Sequence, residues 1–257
     1  MTAIDWIVAF GALTLTGISK VGFGGGPAVL ATPLLAAVFP PRDAVGILLP
    51  LLIVSDAIAV WHYWRDVRWR ALKCLWPGMV VGIGAATVMF ATVSDHRLRV
   101  MIGGVCLLFC GLQWWRRIIL RIEERWHPNW AWGSATGLAA GFTSTLAHAA
   151  GPVLMMYLVP QHLSPMIYVG SNSVFFAVLN LLKVPPYVQQ GLINAHTLWL
   201  SLLGIPAIIV GSLIGIWLNR RFDSDRFGAI MYVLLFLTGL ELLGVRTSLM
   251  GLLAGPR

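Results

Sequence analysis

Two long stretches without charge constrain this chain more than any other feature of its sequence. Residues 126–182 contain no Asp, Glu, Lys or Arg, and neither do residues 184–219. Residues 74–94 form a third such run. Only 11% of the 257 residues are charged, whereas soluble domains average roughly 25%. Because each bilayer-spanning helix needs roughly 20 apolar residues, we expect an all-α integral membrane protein.

Ten apolar segments are candidates for helices in or near the membrane. They run over residues 4–20, 26–39, 44–62, 74–92, 98–115, 130–147, 151–160, 165–182, 197–218 and 227–244. The segments 26–39 and 151–160 are too short to cross a bilayer unaided. We therefore expect about eight spanning helices, with broken or re-entrant helices at the two short segments.

Matching residues recur at a nearly constant offset along the chain. The pairs are Gly26-Pro27 with Gly151-Pro152, Asp56 with Asn180, Tyr63 with Tyr187, Pro77 with Pro206 and Gly82 with Gly211. This recurrence predicts an internal duplication. The expected parts are an N-terminal membrane repeat at 1–118, a cytoplasmic linker at 119–129, a C-terminal membrane repeat at 130–247 and a tail at 248–257.

The positions of the basic residues predict the orientation of the repeats. Basic clusters at 62–73 and 116–129 are typical of cytoplasmic loops, which leaves 40–43 and 93–97 outside. The basic loop 219–226 is then cytoplasmic and the nearly uncharged loop 184–196 outside. This arrangement favours an inverted repeat, which is common in secondary transporters; a parallel repeat of four spans each is the alternative. Since these clusters separate apolar runs, the net charge of +8 does not indicate a nucleic-acid partner.

The first break in the apolar pattern has the composition of an anion site. Four glycines, Gly22, Gly24, Gly25 and Gly26, cannot sustain a helix, and Pro27 favours the start of a new one. A helix N-terminus directs N–H groups and positive dipole at the break. Ser19 and Lys20 directly precede it. A lysine at membrane depth is usually functional, whereas one near the interface merely extends to water.

The second break carries hydroxyls and a histidine instead. Thr143, Ser144, Thr145 and His148 precede Gly151 and Pro152. The hydroxyls are candidate substrate ligands, although they can also bond back to carbonyls of their own helix. A histidine in a charge-free stretch is a candidate anion donor or proton carrier, so proton coupling is an open alternative.

Four further polar residues lie inside or beside apolar segments. Asp56 and its repeat mate Asn180 are candidates for coupling or second-shell roles. Asp56 can bind a coupling cation, pair with Lys20, or lie at a helix cap or interface. Asn172 is a candidate substrate ligand, whereas Lys183, ahead of two prolines, is expected at the interface.

In this order and spacing the motifs resemble the TauE/SafE family of membrane permeases, also called sulfite exporters, over nearly the whole chain. The motifs are Gly-Phe-Gly-Gly-Gly-Pro at 22–27, Thr-Pro-Leu-Leu at 32–35, Gly-Phe-Thr-Ser-Thr-Leu-Ala-His at 141–148, Val-Gly-Ser-Asn-Ser at 169–173 and Asn-Leu-Leu-Lys-Val-Pro-Pro-Tyr at 180–187. The resemblance implies a duplicated, multi-pass permease of the bacterial inner membrane for sulfite, sulfoacetate or related organosulfonates. Many members carry more glycine in the second break, where this chain has Ala149-Ala150.

We therefore expect a secondary transporter, most simply an exporter, of a small anion bound between the two breaks. Its partners are that anion and the lipid bilayer, and a homo-oligomer is compatible with the sequence. We expect no cofactor, no metal and no enzymatic activity. A membrane-embedded enzyme or assembly factor that uses His148 and Ser144 is the rival from another class, and a passive anion channel is the third.

Overall fold

A computed structural model describes residues 3–24, 27–119 and 129–219, together with positions 236 and 240. Within these residues the chain is helical and has no strand. The helices are α1 (Ala3–Gly17), α2 (Ala31–Val38), α3 (Pro41–Tyr63), α4 (Trp69–Lys73), α5 (Trp76–Thr92), α6 (Asp95–Ile119), α7 (Trp130–Ala147), α8 (Gly151–Leu158), α9 (Pro165–Gln189) and α10 (Ala195–Asn219). The expected all-α membrane architecture is confirmed.

Three helices of the described residues are long and apolar enough to cross a bilayer. They are Pro41–Tyr63, Pro165–Gln189 and Ala195–Leu218. Shorter apolar helices cover Ala28–Val38 and Trp76–Phe90. The expectation of about eight spans stays a prediction. The expected segment 227–244, the loop 219–226 and the tail 248–257 lie outside the described residues, apart from residue 219 and positions 236 and 240.

Helices α3 and α9 lie antiparallel at the centre of the bundle. Gly46 of α3 lies against the Leu192 carbonyl just beyond α9. Ten residues further along α3, Asp56 accepts a hydrogen bond of 2.6 Å from the Asn180 side chain. Beyond the end of α3, the Asp66 carbonyl lies against Gly170. Residue numbers therefore decrease along α9 in the direction in which they increase along α3, so the two helices are antiparallel.

The outer helices pack in two parallel pairs, α1 with α10 and α5 with α7. In the first pair, Gly211 lies directly against the Thr14 carbonyl. In the second, Gly82 lies in the same way against the Leu138 carbonyl. Glycines at such crossings allow two backbones to approach closely, as is usual between membrane helices.

Helix α9 continues seven residues beyond its expected end at residue 182. It passes through Pro185 and Pro186 and ends at Gln189. Each proline removes one backbone N–H from the helix. The chain beyond the prolines is nevertheless anchored, because Tyr187 is buried and its hydroxyl donates to the Thr145 carbonyl at 2.7 Å. The loop expected at 184–196 therefore begins only at Gln190.

The ends of the helices group as the charge pattern predicts. The loops at 40–43 and 93–97 lie at the same end, because Arg42 donates to Asp95 at 2.7 Å and to the Val93 carbonyl. The Gln190 side chain reaches the Thr87 carbonyl at this end as well. At the other end of α3, the Arg68 N–H donates to the Ser171 hydroxyl at 2.9 Å.

The close crossing of α5 with α7 predicts opposite effects of alanine at two glycines of α5. A Cβ at Gly82 would collide with the Leu138 carbonyl, whereas a Cβ at Gly84 meets no atom within 4 Å. We expect Gly82→Ala to lower the melting temperature of the purified protein, since forced overpacking costs about 1–3 kcal/mol. Gly84→Ala should leave it unchanged or raise it, because alanine favours the helix by about 1 kcal/mol. Equal melting temperatures for the two variants would contradict this crossing.

Candidate functional site

The first break is a widened helical turn rather than a simple glycine loop. After α1, residues Ile18–Gly22 form a π-helical turn, a feature frequent at functional sites. This turn buries Lys20, whose exposure is only 4%. Gly24 then adopts a left-handed conformation with φ of 68°. Gly25 and Gly26 lie outside the described residues, and Pro27 begins a 3-10 turn, Pro27–Leu30, that leads into α2.

The second break depends on the backbone of His148. This residue follows the end of α7 with φ of 51° and ψ of 33°, a left-handed conformation that is uncommon for residues other than glycine. Its backbone N–H donates to the Ser144 carbonyl at 2.9 Å. Its ring Nε2 lies 3.0 Å from the Val45 carbonyl of α3. The left-handed turn thus directs the imidazole into the bundle, and α8 begins three residues later.

The two breaks meet around a small internal void. The Thr32 hydroxyl of α2 donates to the Ala147 carbonyl at the end of α7, at 2.6 Å. The void has a volume of about 10 Å³ and is lined by Lys20, Ala28, Ala31, Leu52, Ser144, His148, Phe176 and Asn180. That volume accommodates about one water molecule. An oxyanion with four or more heavy atoms needs more room than this void provides.

Lys20 forms a buried ion pair with Asp56. The Lys20 Nζ lies 2.7 Å from Asp56 Oδ1 and also donates to the Leu52 carbonyl at 3.2 Å. The other carboxylate oxygen accepts from Asn180. Of the alternatives for Asp56, the structure therefore shows the pair with Lys20, and it places Asp56 in direct contact with Asn180, its counterpart in the expected repeat.

Lys183 is fully buried, so the expectation that it lies at the membrane interface was wrong. The cause is the continuation of α9 through the prolines, which keeps Lys183 on the inner face one turn beyond Asn180. Its Nζ lies 3.0 Å from the Ser144 Oγ, 3.3 Å from the Ser144 carbonyl and 3.0 Å from His148 Nδ1. All three partners are uncharged acceptors.

This network assigns the tautomer of His148. Since the Lys183 ammonium only donates, Nδ1 of the ring accepts from it. Nε2 then carries the hydrogen and donates to the Val45 carbonyl. The hydrogen-bond partners therefore fit a neutral imidazole.

Helix α9 presents a continuous buried face toward both breaks. Residues at helical spacing form this face: Asn172, Phe176, Asn180, Lys183 and Tyr187. They span about 22 Å along the helix axis. At one end, the buried amide of Asn172 has no hydrogen-bond partner among the described residues, and a Cβ at Gly24 would come within 3.0 Å of its Nδ2. At the other end, Tyr187 bonds to the carbonyl of Thr145.

The remaining expected site residues lie around this network but contribute differently. The hydroxyls of Thr143 and Thr145 donate to carbonyls of α7, at 2.7 and 2.8 Å. Ser19 is buried, and its hydroxyl has no hydrogen-bond partner among the described residues. Gly22, Gly151 and Pro152 are buried but do not line the void.

Sequence reasoning missed Lys183, Phe176 and Leu52 as part of the site. The positions of Asn172 and Asn180 carried a usable signal, because Phe176 and Lys183 share their helical face. This signal was not used because the two prolines suggested that α9 ends before Lys183.

Comparison with known proteins links this chain to a transporter family. The model of the family described as Sulfite exporter TauE/SafE matches residues 9–242. The chain is also similar to the "Probable inner membrane transporter protein TsaS" of Comamonas testosteroni. The two are 26% identical over 187 residues, which cover 69% of this chain and 73% of that protein. No solved structure matches the chain significantly.

The buried ion pair predicts a non-additive effect on stability. Asp56→Asn leaves the Lys20 ammonium buried without its carboxylate, which costs about 3–5 kcal/mol. The double variant Lys20→Met with Asp56→Asn removes both charges and should recover most of that loss. Melting temperatures in detergent measure both effects. A double variant no more stable than Asp56→Asn would show that the two charges are not coupled.

Proposed function

Because this chain belongs to the sulfite exporter TauE/SafE family, we propose that it is a secondary transporter that carries sulfite or an organosulfonate across the bacterial inner membrane. The family is one of multi-pass membrane permeases, and the curated relative is named as an inner membrane transporter. We propose export as the direction and the void between the two breaks as the substrate site.

The charge content of the void is the observation that supports this proposal most directly. Lys20, Ser144, His148 and Asn180 line it, and Lys183 lies directly behind Ser144 and His148. Charged side chains in the membrane interior are costly and usually mark a substrate or ion pathway. Two lysines and one carboxylate at this place favour an anionic substrate.

The small size of the void favours a carrier over an open channel. It has room for about one water molecule, so a bound anion requires the surrounding helices to move apart. A carrier makes such a movement in each cycle, first toward one side of the membrane and then toward the other. A passive channel needs a continuous passage instead.

We further propose that the chain consists of two inverted repeats, residues 1–118 and 130–247, joined by 119–129. The antiparallel contact of α3 with α9, centred on the mates Asp56 and Asn180, supports this arrangement. Equivalent contacts between the two proposed repeats support it as well. Gly211 lies against Thr14, and its mate Gly82 lies against Leu138, one residue before the position equivalent to Thr14. Rocking of one repeat against the other would then give alternating access.

Transport of labelled sulfite and of organosulfonates into proteoliposomes tests the function. We expect uptake well above that of protein-free vesicles. His148→Ala should slow it about tenfold or more, since a buried hydrogen-bond network that loses one member is weakened by about 1–3 kcal/mol. His96→Ala is the matched control, because His96 is exposed at the start of α6, and it should transport like the wild type.

Two results would refute the proposal. The first is the absence of protein-dependent flux for every anion tested. The second is flux through His148→Ala at the wild-type rate, which would leave a transporter whose substrate site lies elsewhere.

A further inference from the structure

The charges around the void do not balance among the described residues. Lys20 is neutralised by Asp56, from which it is separated by 2.7 Å. Among the described residues, no carboxylate lies within 4 Å of the Lys183 side chain. Its Nζ donates instead to the two oxygens of Ser144 and to His148 Nδ1. The site thus contains two cations and one anion.

No other charged group of the described residues compensates Lys183. Asp5, Asp43, Asp66 and Asp95 are all outside the buried set, which leaves Asp56 as its one acidic member. His148 and Tyr187, the titratable neighbours of Lys183, are both uncharged in this network. With both lysines protonated, the described residues therefore give the site a net charge of +1.

We propose that this single excess charge makes the transporter selective for monovalent oxyanions over divalent ones. The inference rests on the proposed function and narrows its substrate class. One negative charge in the void neutralises Lys183, whereas a second one would remain uncompensated in a low-dielectric interior, where unpaired charges are strongly disfavoured. Hydrogensulfite and sulfonates with one charge meet this requirement. Sulfoacetate, which has a carboxylate beside its sulfonate, does not.

The donors at the void are arranged to bind oxygen atoms of such an anion. The Lys20 ammonium is paired with Asp56 and donates to the Leu52 carbonyl, and the same side chain lines the void. The Ser144 Oγ accepts from Lys183, and its own hydrogen has no acceptor among the described residues. An anion bound by the Ser144 hydroxyl therefore interacts with the charge of Lys183 through one shared oxygen.

The two lysines have different roles in this arrangement. Lys20 and Asp56 together contribute no net charge, so the removal of both leaves the site at +1. Lys183 alone provides the excess, and its removal leaves the site neutral. Asp56→Asn raises the net charge to +2 and should shift the preference toward divalent anions.

Methanesulfonate and sulfate give the decisive comparison, because they are nearly equal in size and shape but differ by one charge. Their dissociation constants are measured by calorimetry on the purified full-length protein in detergent, with sulfite as a third anion. We expect the wild type to bind methanesulfonate at least tenfold more tightly than sulfate, which corresponds to about 1.4 kcal/mol.

Four variants assign this preference to its source. Lys183→Met should lose methanesulfonate binding. Lys73→Met is the matched control, because Lys73 is exposed, and it should leave the affinities for both anions unchanged. The double variant Lys20→Met with Asp56→Asn should bind both anions more weakly, because it loses a donor, but should keep the ratio that favours methanesulfonate. Asp56→Asn should lower the ratio of the two affinities at least tenfold; if this variant does not fold, the wild type and the double variant decide the question.

Each remaining outcome counts against a specific claim. Equal or tighter binding of sulfate by the wild type, binding of sulfite without binding of methanesulfonate, or unchanged binding by Lys183→Met overturns the charge selectivity and leaves the anion transporter in place. If none of the three anions binds, the proposed function fails and the selectivity fails with it.

Discussion

The ion pair between Lys20 and Asp56 is the interaction on which the rest of the site depends. Each of these charges would be costly alone in the interior of a membrane protein, so the π-helical turn that carries Lys20 lies where α3 presents Asp56. Asn180 adds α9 to the same junction through the second carboxylate oxygen. One carboxylate thereby fixes the relative positions of the first break and both central helices, and the void forms at their meeting point.

Among the described residues, Lys183 is held by hydrogen bonds to neutral groups, not by an ion pair. Its three acceptors are neutral and belong to the turn between α7 and α8, so the second break satisfies its hydrogen bonds but not its charge. The left-handed conformation of His148 is what allows both the Ser144 carbonyl and the imidazole to face the same ammonium. Backbone strain at this residue is thus retained because the network around it requires that geometry.

The sequence predicted the helices well and the site only in part. Charge-free runs and the Gly-Pro pairs located the described helices to within a few residues at most ends, because membrane helices need long apolar segments. Lys20, Ser144, His148 and Asn180 were identified because polar residues stand out in such segments. The π-helical turn could not be predicted, and Lys183 was missed although it shares the helical face of Asn172 and Asn180. Both depend on which face of a nearly uniformly apolar helix turns inward, and composition alone does not determine this. Two prolines also suggested a helix end that tertiary anchoring through Tyr187 overrides.

Within the proposed duplication, the residues at equivalent positions of the site differ in charge. Its central mates are unlike, since Asp56 in the first repeat corresponds to Asn180 in the second. The position equivalent to Lys183 is Ala59, which is buried and carries no charge. A site built from two identical repeats would contain each charged group twice. Its charges would then be the same whether it faced one side of the membrane or the other. Here the first repeat contributes a neutral pair and the second contributes an unpaired cation. In the proposed transport cycle, the Lys183 charge would therefore move with one repeat only, and rocking of the repeats would change the field in the void as well as its access.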